Sequence, residues 1–290
     1  MSEDSLLDLI RSELPIDAPS VIVGSGDDCA IVKPPTRNHS LVLKTDATIE
    51  GIHFTTEADL AHVGWKALCR PISDFAAMGA VPEHALITVA APVFFEQEKW
   101  LQLARGFGKA ARAFGIIVVG GEIAHSPGGI FISVTITGAT GRSFSLRRHA
   151  RSHDLICVTG QLGGSLKSGR HLTFIPRLAE GQWLLSQRGV HAMMDLSDGL
   201  GSDLPRLARA SQCGFELKID QIPCHGGCTT EEAMSDGEDY ELLLTIAPHA
   251  WPALQEEWNQ KFPTLSLTPI GKMQPPEHFS TFLPHGYDHF

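Results

Sequence analysis

Several things are missing from this chain. No apolar run approaches the 18 residues a membrane-spanning helix needs. The first residues, MSEDSLLDLIRSEL, are acidic and amphipathic and carry no basic leader or apolar signal core. These features predict a soluble, cytoplasmic protein with no membrane partner. Positive charge is short as well: 23 Lys and Arg stand against 33 Asp and Glu, a net charge of −10. That balance argues against a nucleic-acid partner. The six cysteines are scattered, and only Cys224 and Cys228 lie close together. One C-x3-C without a second pair is a weak zinc signal, so ordinary reduced thiols are expected. No P-loop is present; the nearest stretch, GSLKSGRH at 164–171, lacks its Lys-Ser/Thr ending. No GxGxxG follows a strand, and there is no serine elbow or HExxH.

What the chain has is carboxylate in short, Gly-flanked clusters: GDDCA at 26–30, TDATIEGIHF at 45–54, SDFAAMGA at 73–80, GGE at 120–122, MDLSDGL at 194–200 and DGEDYEL at 236–242. Several follow an apolar β-branched run, where a strand hands over to a loop. If those loops converge, the carboxylates share one pocket. Two like charges about 4 Å apart repel by roughly 4 kcal/mol at an effective dielectric of 20. Such a pocket needs cations, and hard oxygen ligands select Mg²⁺ or Ca²⁺. Mg²⁺ held by a few carboxylates usually accompanies a bound phosphate. Each cluster alone also reads as a turn or a helix cap. Asp74 has two readings: an i,i+4 pair with Arg70, or a carboxylate lowered into the shared pocket.

A length of 290 residues and 43% hydrophobic content suit two moderate domains with real cores. Hydrophobic periodicity predicts helices over 3–14, 60–80 (kinked or broken at Pro71), 96–114, 177–188, 200–212 and 249–260. The side of 96–114 expected to be buried carries Trp100, Leu101, Leu103, Ala104, Phe107 and Ala111. Strands are predicted over 29–33, 40–45, 85–91, 116–119, 130–139, 155–159, 190–195, 215–219, 240–246 and 265–271. The run 130–139 reads as apolar on both faces, which suits burial on both sides. The polar, basic segment 142–154 marks a boundary, giving domains 1–147 and 148–290. Strands alternate with helices at irregular spacing in both halves. The fold class is therefore α+β: two domains of mixed sheet with helices on one face, rather than a doubly wound parallel sheet.

Taken in order, GDDCA, TD…EGIHF, SD-F-AAMGA, DLSDGL and GEDYEL resemble the thiamine-monophosphate kinases of the aminoimidazole ribonucleotide synthetase-like superfamily, from about residue 20 to the closing GYDHF. The resemblance implies transfer of the γ-phosphoryl of ATP to thiamine monophosphate, giving thiamine diphosphate, with several Mg²⁺ ions bridging the phosphates. Phosphoryl transfer of this kind needs positioning and charge neutralisation more than a protein nucleophile. Matching metal positions are Asp28, Thr45, Asp46, Asp74, Glu122, Asp195 and Asp198, with Asp46 and Asp74 as the catalytic pair. Gly121, Glu122, Arg147 and Ser197 match nucleotide positions; His53, Glu238 and Pro284 match substrate positions. The family further implies a homodimer whose N-terminal sheets combine into a barrel, with ATP bound near that interface.

Departures from the family pattern are local. GGDT appears as GGEI, so Glu122 and Ile123 replace Asp and Thr. Lys44 stands where a small polar residue is usual, and could neutralise a carboxylate in place of one cation. Pro71 replaces an Asn. Pro284 stands where an aromatic ring stacks on thiamine, and Phe282 or Tyr287 could compensate. The second domain looks shortened around 160–190. A superfamily enzyme with another acceptor, or a non-catalytic nucleotide-binding paralogue, are the alternative readings.

Overall fold

The computed structural model describes Pro19 and residues 21–23, 27–33, 40–141, 143–277 and 286–287. The helix expected at 3–14, together with Phe282 and Pro284, lies outside the described residues.

The first half contains β1 (Val21–Val23), β2 (Ala30–Val32), β3 (Ser40–Ile49), α1 (Leu60–Met78), β4 (Val81–Ala91), α2 (Gln97–Phe114), β5 (Ile117–His125) and β6 (Phe131–Thr140). Its six strands form one sheet in the order β1-β2-β3-β6-β4-β5. All neighbours are antiparallel except β4 and β5, which are joined through α2 and run parallel. The second half contains β7 (Leu155–Thr159), α3 (Ser165–Ser168), α4 (Leu178–Leu185), β8 (Val190–Asp195), α5 (Leu200–Ala210), β9 (Gly214–Leu217), α6 (Thr230–Ser235), β10 (Leu242–Ile246), α7 (Trp251–Lys261) and β11 (Leu267–Gln274). Here five strands form an antiparallel sheet, β8-β10-β7-β11-β9. This is a mixed α+β architecture built on two sheets.

Helix α1 links the two halves. Asp59 caps it, accepting from the Ala61 and His62 amides at 2.7 and 3.2 Å. Gly79 ends it in the left-handed conformation, φ 67°. The expected break at Pro71 does not occur; the helix is continuous through it. A proline there leaves one carbonyl without its donor. Burial outweighs that loss, because Leu68, Cys69, Ile72 and Phe75 are all fully buried. One side of α1 joins the core of the first sheet, while Ala76 and Ala77 pack with Cys157, Met193, Leu242 and Trp258 of the second half. The helix is enclosed along most of its length, and its one polar stripe, His62, Lys66, Arg70, Ser73 and Asp74 at three- and four-residue spacing, is mostly buried as well.

Where α1 crosses α2, Gly64 and Gly106 let the backbones touch. A Cβ on Gly64 would meet the Leu103 carbonyl, and one on Gly106 the Ala61 carbonyl. On α2 the buried set is Leu103, Gly106, Phe107, Ala110 and Ala111; Leu101 and Ala104 are exposed, correcting the expected stripe. The glycine contact rotates the helix toward its small residues.

β6 is covered on one face only within the protomer. Ile132, Val134 and Ile136 are buried, while Phe131, Ser133, Thr135 and Thr137 face outward, exposed or half-buried. Within the single chain one face is covered, and three of the outward positions are hydroxyl residues rather than apolar ones. β5 runs six residues beyond the predicted 116–119 and is exposed along its whole length, with Ile117 61% and Ile123 73% accessible.

Candidate active site

The site lies where the ends of β3 and β8, helix α1 and the β1–β2 connection meet. Strand alternation puts Lys44 and Asp46 on one face of β3 and Thr45 on the other. Asp74 comes from the buried middle of α1, Asp195 from the end of β8, and Asp28 from the turn before β2. Asp28, Asp74 and Asp195 are all buried, and each offers an oxygen within 4.8 Å of the others. Burial pushes Asp74 well above the usual carboxylate range; Lys44 opposes that shift, and Asp195, Asp46 and Asp28 add to it. Burial, with the neighbouring charge of Asp28, pushes Asp195 up to about 7.

Two cations face this cluster. Lys44 Nζ donates to Asp74 Oδ1 at 2.7 Å and lies 3.9 Å from Asp46 Oδ1. Arg147, in a short 3₁₀ turn (Arg147–His149), forks onto Asp28 through Nε and Nη2 at 3.0 and 2.7 Å. A third cation, Arg70, acts on Asp46 and Asp74 from farther off, and a fifth carboxylate, Asp27, accepts from the Arg147 amide at 3.3 Å. Counted formally, five carboxylates meet three cations and remain two charges in excess. An all-oxygen donor set with that excess fits Mg²⁺.

A cavity adjoins the cluster, lined by Ile52, His53, Arg70, Ser197, Glu238 and Tyr287, among others. His53 is buried, and its Nδ1 accepts from the Ile49 amide at 3.0 Å. Its carbonyl accepts from Lys66 Nζ at 2.6 Å, and the same ammonium bonds Glu238. Lys66 is fully buried; burial, opposed by Glu238, pulls it down to about 8. Glu238 and Tyr240 hold positive φ, 56° and 52°. Non-glycine residues in that region carry strain and mark sites where surroundings enforce the conformation. Here the Glu238 amide donates to Ser197 O at 2.6 Å, the Tyr240 amide donates to Leu196 O at 2.8 Å, and the Tyr240 ring stacks on Phe174 at 3.8 Å. The chain's tail returns to this cavity: the Tyr287 amide donates to Asp198 O at 2.9 Å and the Gly286 amide to Ser202 Oγ at 3.0 Å.

The sequence-derived candidates therefore divide. Asp28, Asp46, Asp74, Asp195 and Arg147 come together, and His53, Glu238 and Ser197 line the adjoining cavity. Asp198 also lines the cavity, but its carboxylate is engaged by Arg206 rather than grouped with the three. The Thr45 hydroxyl points to the other sheet face, where it donates to Val134 O at 3.3 Å and accepts from Thr135 Oγ1 at 3.0 Å. Gly121 and Glu122 are on exposed β5, separated from β3 by β6 and β4. At about 4.8 Å per strand that is roughly 14 Å away, so neither reaches the cluster within this chain. Glu50 accepts from the Ile130 amide at 2.7 Å, a loop-fixing contact. The alternative i,i+4 pairing of Asp74 with Arg70 is not made; Arg70 bonds the Ala47 carbonyl and lines the cavity.

Sequence reasoning missed Lys66, Arg70 and Tyr240. One signal was present: Lys66 and Arg70 fall at four-residue spacing with Asp74, on one side of an otherwise apolar helix.

Comparison with known proteins gives the family. Residues 26–140 match the AIR synthase related protein, N-terminal domain, and residues 116–281 match the AIR synthase related protein, C-terminal domain. The thiamine-monophosphate kinase of Rhodopirellula baltica is 36% identical over 273 residues, covering 88% of this chain and 84% of its own. That of Aquifex aeolicus is 32% identical, covering 100% of this chain and 98% of its own. The solved structure of AaThiL complexed with AMPPCP and TMP superposes with a TM-score of 0.85 at 30% identity, covering 100% of this chain and 97% of that one. With its acidic cluster, its adjoining cavity and its full-length relatives in register, the chain belongs to the thiamine-monophosphate kinase family of AIR synthase related proteins.

Proposed function

We propose that this protein is an ATP-dependent kinase that phosphorylates thiamine monophosphate to thiamine diphosphate. The observation that carries the reading is the junction of two unlike halves: a cation-demanding carboxylate cluster and, beside it, a cavity holding His53, Glu238 and Arg70. An oxygen of the acceptor's phosphate attacks the γ-phosphorus of ATP, the bond to the bridging oxygen breaks, and ADP leaves. No protein nucleophile is required. Bound Mg²⁺ would supply charge neutralisation and Lewis acidity toward the phosphate oxygens. Asp28, Asp74 and Asp195 would hold it, with Asp46 beside them; Asp46 and Asp74 are the catalytic carboxylates of this scheme. Arg147 fixes Asp28, and Ser197 lies where the nucleotide and acceptor halves adjoin. Lys66 locks the carboxylate of Glu238 and the backbone of His53 in place, so the cavity wall is set before the acceptor arrives. Arg70 presents a fixed positive charge to the acceptor's phosphate.

The same reading extends to assembly. The protein would act in the cytoplasm as a homodimer whose N-terminal sheets close into a barrel, with the domain boundary at 147/148. The exposed apolar strand β5, with Leu86 49% accessible beside it, supports this, since an uncovered apolar sheet edge invites pairing. Dimerisation would carry Gly121 and Glu122 toward the partner's site, which explains their distance from their own. Sedimentation at micromolar concentration tests this point; a monomer contradicts it.

The central test is ADP release with Mg-ATP, with and without thiamine monophosphate. Acceptor-dependent ADP together with thiamine diphosphate as product is expected. Nucleotide binding without acceptor-dependent ADP would replace this reading with another acceptor or a non-catalytic role.

A further inference from the structure

Lys44 is placed where a cation would otherwise sit. Its Nζ lies between two acids, 2.7 Å from Asp74 Oδ1 and 3.9 Å from Asp46 Oδ1. Asp74 in turn is one of the three carboxylates grouped within 4.8 Å. The ammonium arrives from β3 itself, two residues before Asp46 and on the same face, so the strand fixes its position without a mobile loop. The side chains of Lys44 and Asp74 are 23% and 8% exposed, so their attraction is only weakly screened.

The charges then divide between two places. At one, Asp74 and Asp46 face Lys44. At the other, Asp28 and Asp195 face Arg147, whose guanidinium is committed to Asp28 by two hydrogen bonds. With Asp27 beside Arg147 and Arg70 acting on Asp46 and Asp74, five acids against three fixed cations leave a formal excess of two, the charge of one divalent ion. With Lys44 removed the excess would be three, and the space between Asp46 and Asp74 would open to a second ion. An ammonium differs from Mg²⁺ in two respects: it cannot be lost to chelators, and it offers hydrogen bonds instead of coordination sites.

We propose that the Lys44 ammonium is a built-in cation that takes the place of one metal ion, so that the nucleotide-free protein holds a single divalent ion, shared by Asp28, Asp74 and Asp195. This rests on the metal-cluster reading above. It makes Lys44 a positioning residue for the acids and sets this chain's metal requirement below that of the same cluster without the lysine.

The test counts ions on the nucleotide-free full chain by equilibrium dialysis against Mn²⁺ at pH 8. The expected count is one per chain in the wild type, two in Lys44→Ala and one in Lys44→Arg, with Asp195→Asn losing the wild-type ion. Equal counts in wild type and Lys44→Ala overturn the proposal, as do two ions in the wild type. If Lys44→Ala melts with no folded baseline, the wild-type and Lys44→Arg counts still decide. No ion in the wild type, with acceptor-dependent ADP release intact, would remove the nucleotide-free metal site and this proposal with it, leaving the kinase reading standing.

Discussion

Among the described residues, two of the groups that contain buried acids are balanced differently. In the second half, Asp239 accepts from the Gly163 amide at 3.0 Å and from Arg170 at 2.6 Å. Nearby, Glu241 accepts from Thr159 Oγ1 at 2.6 Å and is held by both arms of Arg177. Two carboxylates meet two guanidinium groups and several neutral donors, although burial still pushes Asp239 up to about 7. At the site, five carboxylates, Asp27 included, meet Lys44, Arg147 and the more distant Arg70. Both groups grew from the same kind of sequence, short Gly-flanked acidic turns. The difference teaches that burial of acids does not by itself call for a cation; an excess of negative charge does.

The comparison breaks most visibly if the balanced group is disturbed. Glu241→Ala leaves Arg177 without its buried partner and should cost about 3–5 kcal/mol of stability, with the Mn²⁺ count unchanged; urea unfolding and dialysis check the two halves of that statement. Next in size is Asp74→Asn. On the proposed reading of Asp74 as a metal ligand, this change should lower turnover roughly 10²- to 10³-fold, about 3–4 kcal/mol. The metal-free variant should be no less stable than the wild type, because the burial and repulsion that raise Asp74 are relieved. Asp46→Asn should fall in the same range of activity. Near-normal turnover in both variants would show that the unbalanced group is not the reacting one.

A smaller effect is expected in the cavity. Tyr287 is the described aromatic of the chain's tail lining it. Ring stacking contributes about 0.5–1.5 kcal/mol beyond area burial, so Tyr287→Ala should raise KM for the acceptor roughly three- to tenfold with kcat little changed. Steady-state kinetics separate the two parameters. The smallest effect concerns pH. Burial, reinforced by the charge of Lys66, holds His171 below its usual 6.5. Below that pH the unfolded chain binds a proton that the native one resists, so stability falls as pH falls. His171→Gln should flatten that part of the stability profile, read as unfolding midpoints at pH 5 and pH 7.

Much of this was legible in the sequence. Strands at 155–159 and 190–195 appear at the predicted residues, because apolar β-branched runs bounded by turns leave few alternatives. The acids of GDDCA, TD and DLSD were identifiable because each ends an apolar run. What pairs with them was not. Lys66 and Glu238 are 172 residues apart and Arg147 and Asp28 are 119 apart, and no periodicity reports such distances. The apolar character of β6 was overread on one face, because alternation in IFISVTITGA places hydroxyls there and threonine passes for an apolar strand former. The continuity of α1 through Pro71 depended on packing from both halves, which a window of sequence does not contain.

The contrast between the two acid groups can be settled by locating the ion. Crystals soaked in Mn²⁺ without nucleotide should give one anomalous peak per chain, among Asp28, Asp74 and Asp195, and none beside Asp239 and Glu241. A peak at the arginine-balanced group, or none at the three aspartates, would contradict the claim that unbalanced charge defines this site.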